Sequence, residues 1–303
     1  MEKVLPDSIE CIYARRDFFV RRRPVSGENL TALALEDASA NNSPIFTLFD
    51  SETVDELTRD HILRLAVGVL GAVRIKGFSS LADCEDVMRS LATCELGGYD
   101  EALIFPRIAK LGPAAYDFYG DYGLGERYWE HAEQSVTTRS TLLRGGDPMD
   151  VARQRLRSAW GDDLIPATSG GRELFSGMIR EIASGAKIHF DEIVREFPGV
   201  LDEPPASFLT FNWYLSMPDG GGETRVHRHR WQPSDERYRD GYGYTEEAVK
   251  GEPVAVVQPE AGDAVIFDSR NFHAVEPPRG DGRRVSLSFF LGVTGRGPLA
   301  IWS

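Results

Sequence analysis

Short runs of mostly apolar residues follow one another along the C-terminal part of the chain. The runs are rich in Val, Ile, Phe, Trp and Tyr, and polar turns rich in Gly and Pro, such as Pro218–Gly222, separate them. Short runs of this composition, bounded by such turns, are typical of strands. The pattern predicts strands at residues 173–182, 187–191, 207–216, 223–231, 254–258, 263–268 and 283–293. Many short strands separated by such turns favour a sandwich or a barrel.

The first 170 residues show helical signals more often than alternation. Thr53–Glu56 has the spacing of a capping box and predicts the start of a helix. Ser80 predicts the cap of a second helix that runs to about Cys94, and Asp150–Trp160 predicts a third. Ala72–Phe78 is an apolar run that predicts a strand between the first two helices.

Together these patterns predict an α+β, mainly β fold, in which an α-rich N-terminal half packs on a C-terminal jelly roll. A chain of 303 residues is long enough to bury a sizeable core. Because no shift in composition marks a linker, we expect a single domain over residues 1–303. Residues 1–170 would form a mostly helical supporting region and residues 171–303 the jelly-roll core with the functional site.

Charge and cysteine content narrow the possible partners and location. The net charge is −13, and broad nucleic-acid binding needs a basic face, so we expect no nucleic-acid partner. The longest apolar run, Leu65–Ile75, contains Arg74 and is too short to span a bilayer, so we expect no membrane partner. Three cysteines, an odd number without metal-type spacing, indicate a reducing compartment, and we expect a cytoplasmic protein that acts on small molecules.

Three side chains have the spacing expected of a metal site. In a strand, residues two apart point to the same face, so His189 and Asp191 project together while Phe190 points away. His273 follows the predicted strand 263–268 and would come from a different strand. Two imidazoles and one carboxylate on one face of iron form the 2-His-1-carboxylate triad of non-heme Fe(II) oxygenases. We therefore expect His189, Asp191 and His273 to bind Fe(II).

His227 and His229 form a competing pair. His-x-His in a strand also projects two imidazoles to one face, as in cupin-type metal sites. Their immediate neighbours are Arg225, Arg228 and Arg230, and nearby positive charges disfavour a dication. We expect the pair to line the mouth of the pocket or to lie on a solvated face, while the alternative that it binds the metal stays open.

The last predicted strand carries a candidate carboxylate site. Arg284 and Ser286 lie on one face, and a guanidinium beside a hydroxyl can hold a carboxylate. An Fe(II) enzyme that uses 2-oxoglutarate needs such a clamp for the distal carboxylate of this cosubstrate. Arg283 is the alternative clamp, because a shift of one residue in register would exchange the two arginines. Tyr214 and Asn212 share a face of an earlier strand and are further candidates for hydrogen bonds to 2-oxoglutarate.

These motifs resemble the Fe(II)/2-oxoglutarate-dependent oxygenases of the double-stranded β-helix fold. The motifs that carry the resemblance are, in chain order, His189-x-Asp191, Tyr214-Leu215, Gly221-Gly222-Glu223, Pro259-x-x-Gly262-Asp263, His273 and Arg284-x-Ser286. Over about residues 173–303 the chain is similar to the freestanding tailoring enzymes around the welwitindolinone and hapalindole halogenases, and to N-acyl amino-acid hydroxylases. Residues 1–170 match only through the strand Ala72–Phe78.

The resemblance implies an enzyme, a dioxygenase that uses Fe(II), 2-oxoglutarate and O2. Such an enzyme would hydroxylate an aliphatic C–H of a small amino acid or of an amino-acid-derived natural-product intermediate. The halogenases of this group have Gly where this chain has Asp191, and that Gly opens a position for chloride. With the carboxylate in place, we expect hydroxylation rather than halogenation.

Other functions remain open at this point. Desaturation, cyclisation and epoxidation use the same cofactors, and the sequence does not choose among them. A cupin-like metal protein or isomerase without 2-oxoglutarate would use His227 and His229 and would ignore Arg284. A non-catalytic β-sandwich binding module would bind no iron. The sequence leaves the oligomeric state and the identity of the substrate undetermined.

Overall fold

Two β-sheets form the centre of the structure, a computed structural model that describes residues 49–99, 104, 107–120, 123–144 and 146–303. In these residues the strands are β1 (Ser51–Val54), β2 (Ala72–Ile75), β3 (Gly97–Gly98), β4 (Ile108–Leu111), β5 (Tyr119–Gly120), β6 (Gly123–Leu124), β7 (Leu164–Pro166), β8 (Thr168–Ser169), β9 (Arg172–Glu173), β10 (Met178–Ile182), β11 (Ala186–His189), β12 (Ser207–Ser216), β13 (Thr224–Arg230), β14 (Arg239–Asp240), β15 (Gly243–Tyr244), β16 (Val254–Val257), β17 (Ala264–Asp268), β18 (Asn271–Val275), β19 (Val285–Val293) and β20 (Leu299–Trp302).

Five α-helices accompany the strands within the same described residues. They are α1 (Arg59–Ala66), α2 (Leu81–Leu91), α3 (Glu126–Arg139), α4 (Pro148–Trp160) and α5 (Ile193–Glu196). Short 3-10 helices lie at Ala115–Asp117, Pro233–Tyr238 and Glu246–Val249. No helix in this part of the chain is both long and apolar enough to cross a membrane.

The larger sheet, here called the major sheet, has the strand order β1-β2-β17-β12-β19-β10-β4-β3, and β20 joins β19 to β7. The smaller one, the minor sheet, has the order β14-β15-β11-β18-β13-β16. Side chains of both sheets meet in one buried cluster, in which Tyr214 and Phe267 of the major sheet join Val226 and Val257 of the minor sheet. This mixed α/β architecture with two large sheets agrees with the predicted jelly roll.

Strand alternation gives the major sheet two different faces. On β12, Phe211 and Trp213 are fully buried against the helices, in a cluster that includes Leu65 of α1 and Leu156 of α4. Their neighbour Tyr214 points the other way, toward the minor sheet. Residues two apart in a strand share a face, so one face of each central strand packs against helices and the other faces the inside of the sandwich.

The N-terminal region differs from the prediction at Thr53–Glu56, which does not begin a helix. Residues 51–54 instead form β1, which pairs in parallel with β2. Helix α1 begins later, with Thr58 as its N-cap and a capping box between Thr58 and His61. The predicted capping box begins five residues earlier, at Thr53, where strand pairing forms instead, because the β1–β2 ladder satisfies the backbone groups of these residues.

Two other N-terminal predictions, the cap at Ser80 and the helix at residues 150–160, are confirmed. Ser80 caps α2, since its side chain accepts a hydrogen bond from the Asp83 amide, and residues 150–160 lie within α4. The described part of residues 49–170 contains strands β1–β8 as well as helices α1–α4. Residues 1–48, Cys11 among them, lie outside the described residues, so the expected α-rich N-terminal half is a prediction still.

Asp263 ties the N-terminal strand β2 to the core. Its carboxylate is 4% exposed and accepts hydrogen bonds from Arg74 Nε at 2.6 Å and from the Gly77 amide at 2.9 Å. The same carboxylate accepts from the Glu260 amide at 2.9 Å, which closes the turn before β17. A buried carboxylate that accepts from this many donors links strand β2, the residue Gly77 and the turn before β17.

We expect Asp263→Asn to lower the free energy of unfolding by about 2 to 4 kcal/mol, because it leaves the Arg74 guanidinium without its buried partner. Urea unfolding followed by circular dichroism would measure the change. The matched control is Asp60→Asn, since the Asp60 side chain is 73% exposed and its removal should cost less than about 0.5 kcal/mol. Equal losses for the two variants would contradict this role for Asp263.

Candidate metal centre and its pocket

The pairing of β11 with β18 brings two predicted ligands together. His189 and His273 are direct cross-strand partners, and their ring centroids are 4.2 Å apart. Asp191 lies two residues beyond His189 on the same side, and its Oδ2 is 4.0 Å from His189 Nε2 and 3.5 Å from His273 Nε2. His273 follows β17, as predicted, and lies in the next strand, β18, and the three side chains converge.

The backbone orients both imidazole rings. His189 Nδ1 is 2.7 Å from the Lys187 carbonyl oxygen, and His273 Nδ1 is 2.9 Å from the Asn271 carbonyl oxygen. Each Nδ1–H therefore donates to a carbonyl, which leaves the Nε2 lone pair directed at the common centre. Histidines that bind metals are oriented in this way, with the second nitrogen held by a backbone or carboxylate acceptor.

The protonation states also suit a cation. Burial, and after it the neighbouring His273, lowers the pKa of His189 to about 4, so this imidazole is neutral near pH 7. Burial acts to raise the pKa of Asp191, but the close approach of His273 and His189, and after them Arg180, holds it below its usual value. Neutral imidazoles and an ionised carboxylate are the forms that bind a metal.

These residues fit a divalent iron site by their donor chemistry. In the part of the chain that the structure describes, His189, Asp191 and His273 are the group of His, Cys, Asp or Glu residues whose ligand atoms all lie within 4.8 Å of one another. Two nitrogen donors and one oxygen donor on one side leave the other side open for further ligands. That is the donor set of the facial triad.

The turn between β17 and β18 fixes the position of Asp191. The Asp191 amide donates to the Ser269 carbonyl at 2.8 Å, and the Ser269 hydroxyl donates to the Asp191 carbonyl at 3.0 Å. In the same turn the fully buried Asp268 pairs with Arg230 and Arg270, each at 2.7 Å. The turn that precedes His273 thus also holds the carboxylate ligand.

Arg284 lies on the inner face of the major sheet and has no acidic partner among the described residues. It is 4% exposed, and its Nε donates to the Gly222 carbonyl at 3.0 Å. Its second terminal nitrogen is 3.3 Å from the Tyr214 hydroxyl and 3.2 Å from Thr224 Oγ1. Burial lowers the pKa of Arg284. A buried guanidinium held by neutral acceptors is suited to binding an anion.

The other predicted contacts to 2-oxoglutarate share this inner face. Tyr214 is the cross-strand partner of Ser286, and Asn212 is the cross-strand partner of Ser288. Ser286 is 1% exposed, while Asn212 is partly buried. Arg283 points outward, where it pairs with Glu181 at 2.7 Å. The geometry therefore distinguishes the two arginines, and Arg284 is the one inside the sandwich.

The pair His227 and His229 lies on the opposite face of the minor sheet from His273. Val226 is the cross-strand partner of His273, so His227 points away from the metal ligands. It is 4% exposed, and its Nδ1 has no hydrogen-bond partner within the described structure. His229 stacks on Phe272 and lies 2.9 Å from Asp235. The expectation that the pair lies at the pocket mouth or on a solvated face is wrong, because His227 is buried and His229 is held by Phe272 and by Asp235 of the segment after β13.

That segment, residues 231–249, adds to the minor sheet. Its strands β14 and β15 extend the edge at β11, and Tyr244 packs against Phe190 and Phe272. Tyr242 is the part of the segment that approaches the metal ligands. Its hydroxyl accepts a hydrogen bond from the Lys187 amide at 2.8 Å, and its ring centroid is 6.0 Å from that of His189.

Thr224 and Arg180 are pocket residues that the sequence analysis did not single out. Thr224 follows the turn 221–223 and bonds to both Tyr214 and Arg284; alternation along β13 was a usable signal for its inward position. The signal for Arg180 was a charged residue that alternation along β10 places on the inner face. Gly222 was named only as part of a motif. It has φ +73°, and a Cβ there would lie 3.2 Å from Arg284 Cδ, so glycine is needed for the close approach.

We expect His229→Leu to lower the free energy of unfolding by about 1 to 2 kcal/mol, because Asp235 loses a hydrogen-bond partner. Thermal unfolding would measure this loss, with the exposed Lys250→Ala as control. Binding of a divalent metal should be unchanged, since the His229 ring lies on the far face of the minor sheet. A loss of metal binding in His229→Leu would contradict this placement.

Comparisons with known proteins agree with the motifs. A family model for 2OG-Fe(II) oxygenases matches residues 204–289. The L-gamma-glutamyl-L-propargylglycine hydroxylase of Streptantibioticus cattleyicolor is 39% identical over 249 residues, which cover 81% of this chain and 93% of the relative. The leucinostatins biosynthesis cluster protein S of Purpureocillium lilacinum is 33% identical over 217 residues, which cover 66% of this chain and 87% of the relative.

A solved structure shares the fold. The crystal structure of an N-substituted L-amino acid dioxygenase from Burkholderia ambifaria has a TM-score of 0.53 at 15% identity, and the match covers 82% of this chain and 92% of that chain. The family model and the hydroxylase relative confirm the resemblance to oxygenases seen in the sequence. The length and identity of the match to the hydroxylase establish that this chain belongs to the Fe(II)/2-oxoglutarate-dependent oxygenases, enzymes that use iron(II), 2-oxoglutarate and O2.

Proposed function

We propose that this enzyme hydroxylates an aliphatic C–H of an amino-acid derivative and that His189, Asp191 and His273 bind its iron. The observation that carries the proposal is the convergence of these three side chains, with ligand atoms within 4.8 Å of one another. Iron(II), together with 2-oxoglutarate and O2, supplies the oxidising power that an unactivated C–H requires. The residues of the chain hold and orient the reactants.

The cosubstrate pocket in this proposal is the inner face of the major sheet. Arg284 binds the distal carboxylate of 2-oxoglutarate, and the Ser286 hydroxyl donates a second hydrogen bond to it. Tyr214 and Thr224 hold the Arg284 guanidinium in place. Asn212, two residues from Tyr214 on the same face, lies where it can donate to the cosubstrate. A buried guanidinium without a carboxylate partner supports this assignment, because such a charge is stable when an anion binds.

Relatives support an amino-acid derivative as substrate. The hydroxylase that is 39% identical to this chain acts, by its name, on L-gamma-glutamyl-L-propargylglycine. We propose that the substrate here is likewise a small N-substituted amino acid of a natural-product pathway. Asp191 supports hydroxylation rather than halogenation, since it takes the position that the resembling halogenases leave open for chloride.

We also propose a domain organisation and a cellular location for this enzyme. The first is a single catalytic domain over residues 1–303, with a mostly helical support at 1–170. The packing of α1, α2 and α4 on the outer face of the major sheet supports it. The second is a cytoplasmic location, which the free thiols of Cys84 and Cys94 support.

We expect His189→Ala, Asp191→Ala and His273→Ala to lose most of their bound iron, because two ligands on a solvent-accessible metal bind much more weakly than three. Metal content after anaerobic loading with Fe(II) would measure it. His227→Ala is the informative comparison, since it tests the cupin-like alternative, and we expect it to keep its iron. Iron loss in His227→Ala with retention in His273→Ala would overturn the ligand assignment.

We expect Arg284→Gln to raise the dissociation constant of 2-oxoglutarate about 10- to 100-fold, because a charge-assisted hydrogen bond to the distal carboxylate is lost. An anaerobic titration of the Fe(II) protein with 2-oxoglutarate, followed by its visible absorption, would measure the change. Arg283→Gln is the matched control, since its guanidinium faces outward to Glu181. A larger effect in Arg283→Gln would contradict the proposed pocket.

A further inference from the structure

A second guanidinium, that of Arg180, lies on the inner face of the major sheet. Arg180 is the cross-strand partner of Ser286 on β19 and of Lys110 on β4. It therefore shares a face with Ser286 and with Tyr214. Its Nε donates to Ser288 Oγ at 3.0 Å, so the side chain lies along the sheet, beside the pocket assigned to 2-oxoglutarate.

Arg180 has no carboxylate partner among the described residues, unlike other buried or partly buried arginines of the fold. The pairs that show the contrast are Arg74–Asp263 at 2.5 Å, Arg139–Asp147 at 2.8 Å and Arg270–Asp268 at 2.7 Å. Arg180 donates instead to a neutral hydroxyl and is only half-buried. The chain has a net charge of −13, so acidic side chains are plentiful. Arg180 and Arg284 nevertheless face inward without an acidic partner among the described residues, and this arrangement favours the binding of anionic ligands.

The neighbouring cation Lys110 is already neutralised. Its Nζ lies 2.5 Å from Asp117 Oδ2, and 4.6 Å from the centre of the Tyr99 ring. The pair adds no net charge beside Arg180. A carboxylate that enters this part of the pocket therefore meets one unpaired positive group.

Arg180 also lies on the same inner side of the sandwich as the predicted iron ligands. Its cross-strand partner Ser286 is in turn the partner of Tyr214, and Tyr214 packs in one cluster with Val226, the cross-strand partner of His273. Three residues, 183–185, separate its strand β10 from β11, the strand that ends at His189. A carboxylate bound at Arg180 would thus lie inside the sandwich that also contains these ligands and the pocket assigned to 2-oxoglutarate.

We propose that Arg180 binds the carboxylate of the substrate, namely that of the amino-acid residue whose C–H is oxidised. The inference rests on the proposed function and names its substrate class, an N-substituted amino acid with a free C-terminal carboxylate. A guanidinium presents two parallel N–H groups that match a carboxylate. Since the oxidised carbon and the carboxylate belong to one small residue, fixing the carboxylate fixes the distance of that carbon from the iron.

The test compares a free acid with its amide. L-γ-glutamyl-L-propargylglycine and its C-terminal carboxamide are titrated anaerobically into the enzyme loaded with Fe(II) and 2-oxoglutarate, and binding is measured by calorimetry. We expect the wild type to bind the acid about 10- to 100-fold more tightly than the amide, because only the acid forms a charge-assisted pair. In Arg180→Gln the acid should bind no more tightly than the amide.

Two further variants separate charge from folding. Arg180→Lys keeps the charge and should retain part of the preference for the acid. Arg283→Gln removes a charge from the outer face, where Arg283 is paired with Glu181, and this variant should bind both probes as the wild type does. The 2-oxoglutarate titration of Arg180→Gln should match that of the wild type, whereas Arg284→Gln should not.

The outcomes are distinguishable. A preference for the acid that persists in Arg180→Gln would overturn this inference and leave the proposed function intact. A weaker response of Arg180→Gln to 2-oxoglutarate, with its preference for the acid retained, would assign Arg180 to the cosubstrate and overturn the inference too. If the wild type responds to 2-oxoglutarate but binds neither probe, the proposed substrate class itself is wrong, and the inference falls with it.

Discussion

The pairing of β11 with β18 is the constraint on which the functional centre depends. It places His189 directly opposite His273, and the backbone carbonyls of Lys187 and Asn271 set the direction of each ring. No long side chain has to be ordered for this, so the entropy cost of forming the centre is small. The same turn that leads into β18 holds Asp191 through Ser269, which makes the three ligands one backbone-supported unit.

Strand alternation gives the major sheet one face that packs against the helices and another that lines the pocket. On β12 and β19 the outward residues form the apolar layer under the helices, and the inward residues carry hydroxyl, amide and guanidinium groups. Every second residue of a strand therefore belongs to a different environment. A change such as Trp213→Ala would affect the helix-covered layer, whereas one at Tyr214 would affect the pocket, although the two residues are adjacent.

The two proposed carboxylate ligands would account for the distribution of charge inside the sandwich. Burying an unpaired cation is costly, and proteins usually avoid it by adding a carboxylate, as this chain does for Arg139 and Arg270. Arg284 and Arg180 lack such partners within the described residues. Their charges would be compensated by carboxylates that arrive with the cosubstrate and the substrate, so that affinity and selectivity for acids come from the same two side chains.

Local patterns in the sequence were sufficient to predict most of the strands in the C-terminal half. Strand β12 has the predicted bounds, residues 207–216, since a run of ten residues rich in aromatic side chains and bounded by turn residues favours one long strand. The shared direction of His189 and Asp191 also follows from strand geometry alone. The helix start predicted at Thr53–Glu56 was wrong, because a local capping pattern carries no information about the pairing of residues 51–54 with β2.

The sequence by itself determined which residues could serve as ligands and clamp, and the family motifs identified the chemistry. Only the tertiary structure decided that His273 is the cross-strand partner of His189, that Arg284 rather than Arg283 faces inward, and that His227 faces away. It alone brought Arg180 beside Ser286. The physical reason is that strand register and sheet order arise from contacts between residues far apart in the chain, and a shift of one residue reverses the face of every side chain.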